Sequence, residues 1–230
     1  MTFSLLARCA DTGWLGVAVT TSDIAVGARV PSAIPGVGVA VTQHRTDPRL
    51  GPRVLELLRS SREVRDAVDS VAAATPHRWW RQLAVMDASG DTAAFSGEGV
   101  TATCAVEAGP GCLAVGNMLV GQHVAPAMTR AFADSAGGPL AARLIAALEA
   151  GEAAGGETGA LRSAALLVVG EEEFPLVDLR VDSAPAPLDA LRALWEEYEP
   201  WAGDFVRRAL DPDAATGAPD PDHLPRSTTT

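Results

Sequence analysis

The stretch that decides the fold is TFSLLAR at residues 2–8, which the turn residues DTG at 11–13 separate from WLGVAVT at residues 14–20. In the second run, Leu and Val alternate with Gly, Ala and Thr, which is the period of a strand with two different faces. Asp and Thr side chains bond nearby backbone, and Gly accepts a positive φ, so the connection favours a turn. The two runs predict a β-hairpin at the start of the chain.

Further strands follow the same alternation. The run GVGVAVTQ at residues 36–43 places valines on one face and glycine or alanine on the other. A face of such small residues predicts that another element packs very close to it. Other strands are predicted at residues 81–87 and 92–96, between residues 100 and 115, and in a second hairpin at 163–169 and 176–181.

Helices are predicted between these groups of strands. Residues 60–63, SSRE, have the spacing of a capping box, and apolar residues follow at helical intervals. Pro200 is expected to interrupt the last helical segment. The predicted helices cover residues 52–59, the segment after Ser60, residues 122–134, residues 140–150 and about 187–210.

The order of these elements predicts the architecture. Strands come as hairpins and do not alternate singly with helices, which excludes a doubly wound parallel sheet. We expect an α+β fold, a four-layer αββα sandwich of two antiparallel sheets flanked by helices. Residues 1–210 are predicted to form one domain, and residues 211–230, rich in proline and aspartate, a disordered tail.

Composition excludes several classes of function. The chain has 230 residues and a net charge of −11, which argues against nucleic acid or an anionic membrane as partner. It has no lysine, so a Walker P-loop, a pyridoxal phosphate Schiff base and a Ser-Lys dyad are excluded. Three cysteines without a CxxC motif, and no signal-peptide pattern, predict a cytoplasmic protein. The four histidines lack metal-ligand spacing, and we expect neither metal nor cofactor.

Thr2 is the candidate for chemistry that needs no partner residue. A Met ahead of a small residue such as Thr is commonly removed, and removal would leave Thr2 with a free α-amine. The pKa of such an amine is about 7.7–8.0 in model compounds, so it can act as a base near neutral pH. An N-terminal amine is one established activator of a Thr hydroxyl. The alternative is that the Met-Thr opening has no chemical role.

Several segments resemble a known family. They lie at residues 2–8, 13–19, 25–27, 35–43, 81–82, 116–117, 147–151, 154–156, 163–166 and 178–182. Together they are similar to an uncharacterised bacterial family, the domain of unknown function 1028, over roughly residues 2–195. The resemblance implies the fold of N-terminal nucleophile hydrolases, which agrees with the αββα order. It does not supply a substrate.

The resemblance also implies roles for individual residues. Thr2 would be the nucleophile and its own amine the base. Asn117, after Gly116, would donate to an oxyanion, or would simply form a turn. Ser22 would bond the amine or the substrate, or cap a turn. Gln43 and Gln82 would bind an amide substrate through their side-chain amides, or would instead satisfy buried backbone groups. Arg81 would bind a substrate carboxylate through its planar guanidinium group.

Three charged residues share one face of a predicted strand. Asp178, Arg180 and Asp182 are either an internal ion network or part of the pocket. The chain also departs from the family pattern. Asp23 replaces a basic residue and would raise the pKa of the nearby amine. Glu157 stands where the family has Asp, and Arg162 where it has Gln, which bears on the substrate.

Two functions follow from these expectations. The first is an amidohydrolase that cleaves the C–N bond of a small metabolite through Thr2. The second is a non-catalytic protein that binds a small ligand on the same scaffold, since a fold does not fix a function. A homodimer or higher homo-oligomer is expected because the C-terminal stripe of Leu191, Leu194, Trp195, Tyr198 and Trp201 offers a wide apolar face.

Overall fold

The computed structural model describes residues 1–100 and 103–215. The part of the predicted tail at 216–230, with His223, lies outside the described residues, and a short 3-10 turn covers Pro212–Ala214. The chain falls into two compact units, Met1–Trp195 and Glu196–Thr230. The single domain predicted for residues 1–210 stays a prediction.

Ten strands are present among the described residues. They are β1 Thr2–Arg8, β2 Leu15–Thr21, β3 Pro31–Ile34, β4 Gly38–His44, β5 Arg81–Asp87, β6 Thr92–Ser96, β7 Thr103–Gly109, β8 Cys112–Leu119, β9 Ser163–Val169 and β10 Val177–Val181. The described helices are α1 Leu50–Arg59, α2 Val64–Ala74, α3 Val124–Asp134, α4 Leu140–Ala153 and α5 Pro187–Leu210.

The strands form two antiparallel sheets. One has six strands in the order β10-β9-β2-β1-β8-β7, and the other has four in the order β3-β4-β5-β6. Helices α3 and α4 pack on the larger sheet, and α1 and α2 on the smaller one. The inner faces of both sheets share one apolar core, which includes Leu6, Val17, Val39, Val41 and Val115. The predicted αββα sandwich is therefore confirmed.

The two faces of strand β4 pack against different neighbours, and this explains why one carries valines and the other smaller residues. Val39 and Val41 enter the core between the sheets, while Ala40 belongs to the core under α1 and α2. A Cβ atom at Gly38 would lie 2.7 Å from the carbonyl oxygen of Met86 and 3.2 Å from Leu55 Cδ2. The predicted close approach to the small face is thus made partly by helix α1.

Three local predictions need correction. Ser60 is the C-cap of α1, where its hydroxyl donates to the Glu56 carbonyl at 3.1 Å, and α2 begins at Val64 with no side-chain cap, so no capping box forms. Strand β3 was not predicted, because its four residues are only half buried and show no alternation. Helix α5 continues through Pro200, since a proline in the interior of a helix removes one hydrogen bond and crowds the preceding turn without necessarily ending the helix.

Among the described residues, no helix combines the length and the apolar character that crossing a bilayer requires.

Candidate functional site

Thr2 is held at the start of β1, a strand flanked on both sides. It lies opposite Asn117 of β8, and the next residue, Phe3, lies opposite Thr20 of β2. Side chains alternate along a strand, so Thr2 shares its face with Leu6, which lies in the core between the sheets. Only 6% of Thr2 is exposed. The sheet therefore fixes the hydroxyl at the edge of the inter-sheet core.

Two hydroxyls converge on the peptide group that precedes Thr2. Both Thr2 Oγ1 and Thr21 Oγ1 donate to the carbonyl oxygen of Met1. The two hydroxyl oxygens lie 3.2 Å apart. Thr21, at the end of β2, was not predicted as a site residue. The site thus holds a carbonyl oxygen beside the Thr2 hydroxyl, with a second hydroxyl as donor.

An open cleft lies beside these hydroxyls. Its volume is about 410 Å3, and both Thr2 and Thr21 line it. Three arginines, Arg29, Arg45 and Arg81, also line the cleft. The cleft is therefore bounded by hydroxyl donors and by guanidinium groups.

Glu157 supplies a buried carboxylate near the N-terminus. Its Oε1 accepts the Ser22 backbone N–H at 2.6 Å, while its Oε2 is buried without a partner among the described residues. Burial raises the pKa of this carboxyl, and hydrogen bonding from Ser22 and the positive N-terminus act in the opposite direction. A backbone bridge to Leu119, at the end of β8, ties Glu157 to the larger sheet. This residue was noted only as a departure from a family pattern.

A chain of buried side-chain amides lies behind Thr2. Gln82 Oε1 accepts from Gln43 Nε2 at 2.6 Å and from Asn117 Nδ2 at 3.0 Å. Gln43 Oε1 accepts from the Ser4 hydroxyl at 2.8 Å. All four residues are fully buried. These contacts fit the alternative in which Gln43 and Gln82 satisfy buried polar groups, and their role in substrate binding stays a prediction.

The arginines of the cleft differ in their contacts. Arg81 donates from Nη1 to the Arg45 carbonyl, and its Nε is buried without a partner among the described residues. Arg29 forms an ion pair with Asp23 at 3.2 Å. The guanidinium of Arg45 lies 5.6 Å from the ring centre of Trp80. Asp23 is therefore paired with one of the three arginines that line the cleft.

Comparison with known proteins identifies the family. The model of a family described as "Family of unknown function (DUF1028)" matches residues 2–191. The chain belongs to this family. The resemblance stated from the sequence is thereby confirmed.

One solved DUF1028 structure is similar over most of its length. Protein SPO2555 from Silicibacter pomeroyi is 36% identical, with a TM-score of 0.80, over 87% of this chain and 93% of that chain. The chain is also similar to Anbu (ancestral beta-subunit) from Yersinia bercovieri, with 11% identity and a TM-score of 0.42 over 89% of this chain and 97% of that chain. No curated protein matches.

The remaining predicted residues of this DUF1028 protein are arranged as follows. Ser22 contributes its backbone N–H, to Glu157. Asn117 lies opposite Thr2, yet its Nδ2 is used by Gln82, and its Oδ1 is buried without a described partner. Its predicted role as oxyanion donor stays a prediction.

The charged strand lies apart from the cleft of the DUF1028 fold. Asp178 accepts two hydrogen bonds from Arg180, each 3.0 Å long, on the edge strand β10. The hydrogen bonds that Arg180 donates to Asp178 raise the pKa of Arg180, and the charge of Asp182 acts in the same direction. None of the three is among the residues that line the cleft. This geometry favours the ion network over the pocket.

Proposed function

We propose that this protein is an N-terminal nucleophile amidohydrolase that cleaves the C–N bond of a small metabolite through Thr2, once Met1 has been removed. The observation that carries the proposal is the Thr2 hydroxyl, held by β1 beside a second hydroxyl and at a cleft of about 410 Å3. A hydroxyl becomes a useful nucleophile only when an adjacent base accepts its proton. The free amine of Thr2 would be that base.

The proposed reaction has two steps. The Thr2 amine takes the proton of Oγ1 as Oγ1 attacks the amide carbonyl carbon, and the tetrahedral intermediate collapses when the C–N bond breaks. The leaving nitrogen receives that proton and departs as an amine, which leaves an ester on Oγ1. Water, activated by the same amine, then hydrolyses the ester and releases the acid.

Thr21 is the side chain best placed to stabilise the oxyanion. Its hydroxyl donates to the Met1 carbonyl oxygen, so it already meets a carbonyl at the position next to Thr2 Oγ1. The predicted donor, Asn117, uses one of the two N–H groups of its Nδ2 on Gln82 at 3.0 Å and is not among the described residues that line the cleft. We therefore assign the first donor role to Thr21.

Glu157 is proposed as the positioning residue for the amine. Its Oε2 is buried without a partner among the described residues, and its charge interacts with the amine of Met1, whose place as N-terminus the Thr2 amine would take once Met1 is removed. A carboxylate in this place favours one orientation of the α-amine and raises the pKa of the ammonium form. The Ser22 N–H, at 2.6 Å from Oε1, holds the carboxylate in turn.

The test is hydrolysis of a panel of N-acyl amino acids and primary carboxamides, followed through release of amine or ammonia. Protein that begins at Thr2 is compared with Thr2→Ala, Thr2→Ser and Thr46→Ala, a change at another cleft threonine. We expect Thr2→Ala to abolish turnover and Thr2→Ser to keep part of it. Thr46→Ala should still turn substrate over, because it leaves the nucleophile Thr2 in place. Thr2→Ala protein that hydrolyses a substrate as fast as wild type would contradict the proposal.

One observation favours a second candidate, a non-catalytic protein that binds a small ligand. Gln43, Gln82 and Asn117 use their amide groups on one another and do not appear among the described residues of the cleft. A binding protein needs no oxyanion donor there. This candidate predicts a ligand that raises thermal stability and is recovered unchanged after long incubation.

We also propose that the protein works in the cytoplasm as a homo-oligomer. Leu191 and Trp195, part of the predicted apolar stripe, are buried and offer no surface. Trp201, Phe205 and Leu210 of the second unit are exposed and remain as the candidate contact. Light scattering should show a mass above the monomer, which Trp201→Glu reduces. A monomeric wild-type mass would exclude the oligomer.

A further inference from the structure

The charges of the cleft differ from those of the whole protein. The chain has a net charge of −11, yet the lining residues include Arg29, Arg45 and Arg81 and, among the described lining residues, a single acid, Asp23. Asp23 is itself paired with Arg29. A positive cleft in a negative protein concentrates field lines and attracts small anions selectively.

Arg81 has an unused donor. Its Nε is buried and meets no acceptor among the described residues, while Nη1 is held by the Arg45 carbonyl. The nearby acid, Asp47, accepts a hydrogen bond from Arg49 on each carboxylate oxygen, at 2.8 Å each, and its charge also interacts with Arg81. A nitrogen that is shielded from water is not open to a ligand in the cleft either, so the donor of Arg81 that remains for a ligand is Nη2, which has no hydrogen-bond partner among the described residues.

Arg45 is oriented by an aromatic surface. Its guanidinium lies 5.6 Å from the Trp80 ring centre, and the imidazole of His44 stacks on the same indole with the ring centres 6.0 Å apart. Cation–π contact limits the motion of a long side chain, so less entropy is lost when it binds an anion. Arg81 also donates to the backbone carbonyl of Arg45, which ties the Arg81 side chain to the segment that carries Arg45.

From these observations we propose that the substrate of Thr2 is a carboxylate-bearing amide of the N-acyl amino acid class, held through its carboxylate by Arg81 and Arg45. This inference rests on the proposed function. Thr2, Arg45 and Arg81 all line the same cleft of about 410 Å3, and the proposal has one small molecule meet all three residues. The planar guanidinium fork matches the two oxygens of a carboxylate.

The experiment separates binding from turnover. Thr2→Ala protein without Met1 is titrated by calorimetry with matched probes, a set of N-acetyl amino acids and their neutral carboxamides. The acids should bind at least about tenfold more tightly than their carboxamides, as expected for a charge-assisted bidentate contact. Adding Arg81→Gln or Arg45→Gln should remove most of that preference, and adding Arg53→Gln, on the exposed surface of α1, should not.

Each outcome has a defined meaning. If no acid of the series binds, if the carboxamides bind as tightly, or if Arg81→Gln leaves the preference unchanged, the carboxylate inference is wrong. If wild type hydrolyses neutral amides as fast as the acids, the hydrolase stands and the inference falls. If the acids bind with the arginine-dependent preference but no member of an N-acyl series is cleaved, the inference stands and the hydrolase falls.

Discussion

Replacing Gln82 with Met should destabilise the fold, because Gln82 is the centre of the buried amide chain. Its Oε1 is the acceptor for Gln43 Nε2 and Asn117 Nδ2, and its own Nε2 donates to the Gly116 carbonyl at 3.1 Å. Met has a similar length and no hydrogen-bonding group that could replace the amide. The change leaves two buried donors without their acceptor in a fully buried place.

The magnitude follows from those two donors. Leaving one buried polar group unsatisfied costs about 1–3 kcal/mol, so two cost roughly 2–6 kcal/mol of unfolding free energy. Gln122→Met is the matched control, because Gln122 is exposed and donates once, to the Cys104 carbonyl at 3.1 Å. The control should lose less than about 0.5 kcal/mol.

The assay is urea-induced unfolding of Gln82→Met, Gln122→Met and wild type, with the slope of each transition compared as well as its midpoint. A loss below about 0.5 kcal/mol for Gln82→Met would refute the reasoning, because the amide chain would then contribute no more than a surface bond. Unchanged stability together with a raised KM would instead favour the substrate-binding role of Gln82.

Other predictions test single features. Gly38→Ala should lose about 1–3 kcal/mol in the same unfolding assay, since its Cβ would lie 2.7 Å from the Met86 carbonyl oxygen of β5; a neutral effect would contradict the close approach of β4 and β5 at this position. Hydrogen bonding from Arg49 lowers the pKa of Asp47 from 3.8 to about 2, so its stabilisation is complete above pH 4 and is lost as pH falls towards 2. Asp47→Asn should therefore lose less stability than wild type between pH 4 and 2, and equal losses would exclude that pair as a contributor. Glu157→Gln should move the acid limb of the kcat/KM profile to lower pH, because the change removes the negative charge that raises the pKa of the Thr2 amine. The control is Glu56→Gln, on the exposed face of α1. An acid limb that does not move in Glu157→Gln would show that Glu157 does not position the amine.

Short apolar runs bounded by polar or turn residues predicted the bounds of four strands accurately, whereas the runs with the clearest alternation, at 14–20 and 36–43, began one and two residues before β2 and β4. The runs at 2–8, 81–87, 92–96 and 163–169 became β1, β5, β6 and β9 with the same limits. Local sequence signals that fit two different structures led to wrong predictions. Ser60 suits the end of α1 as well as the start of α2, and only the packed structure decides between them.

Two residues of the candidate site could be predicted from the sequence. Thr2 was found from its own chemistry and Arg81 through the family resemblance, and both line the cleft. Thr21 and Glu157 could not, because they approach the N-terminus only through strand pairing and through a bridge between segments far apart in sequence. The only sequence signal for Glu157 was its place after two glycines.

The most direct test of the central claim is to locate a trapped acyl group. Active protein is treated with a β-lactone, whose carbonyl is opened by an attacking hydroxyl, and the modified residue is mapped by peptide mass spectrometry. The account predicts an ester on Thr2 Oγ1, formed only in protein whose first residue is Thr2. An active protein that still carries Met1, or an acyl group found on another residue, would contradict it.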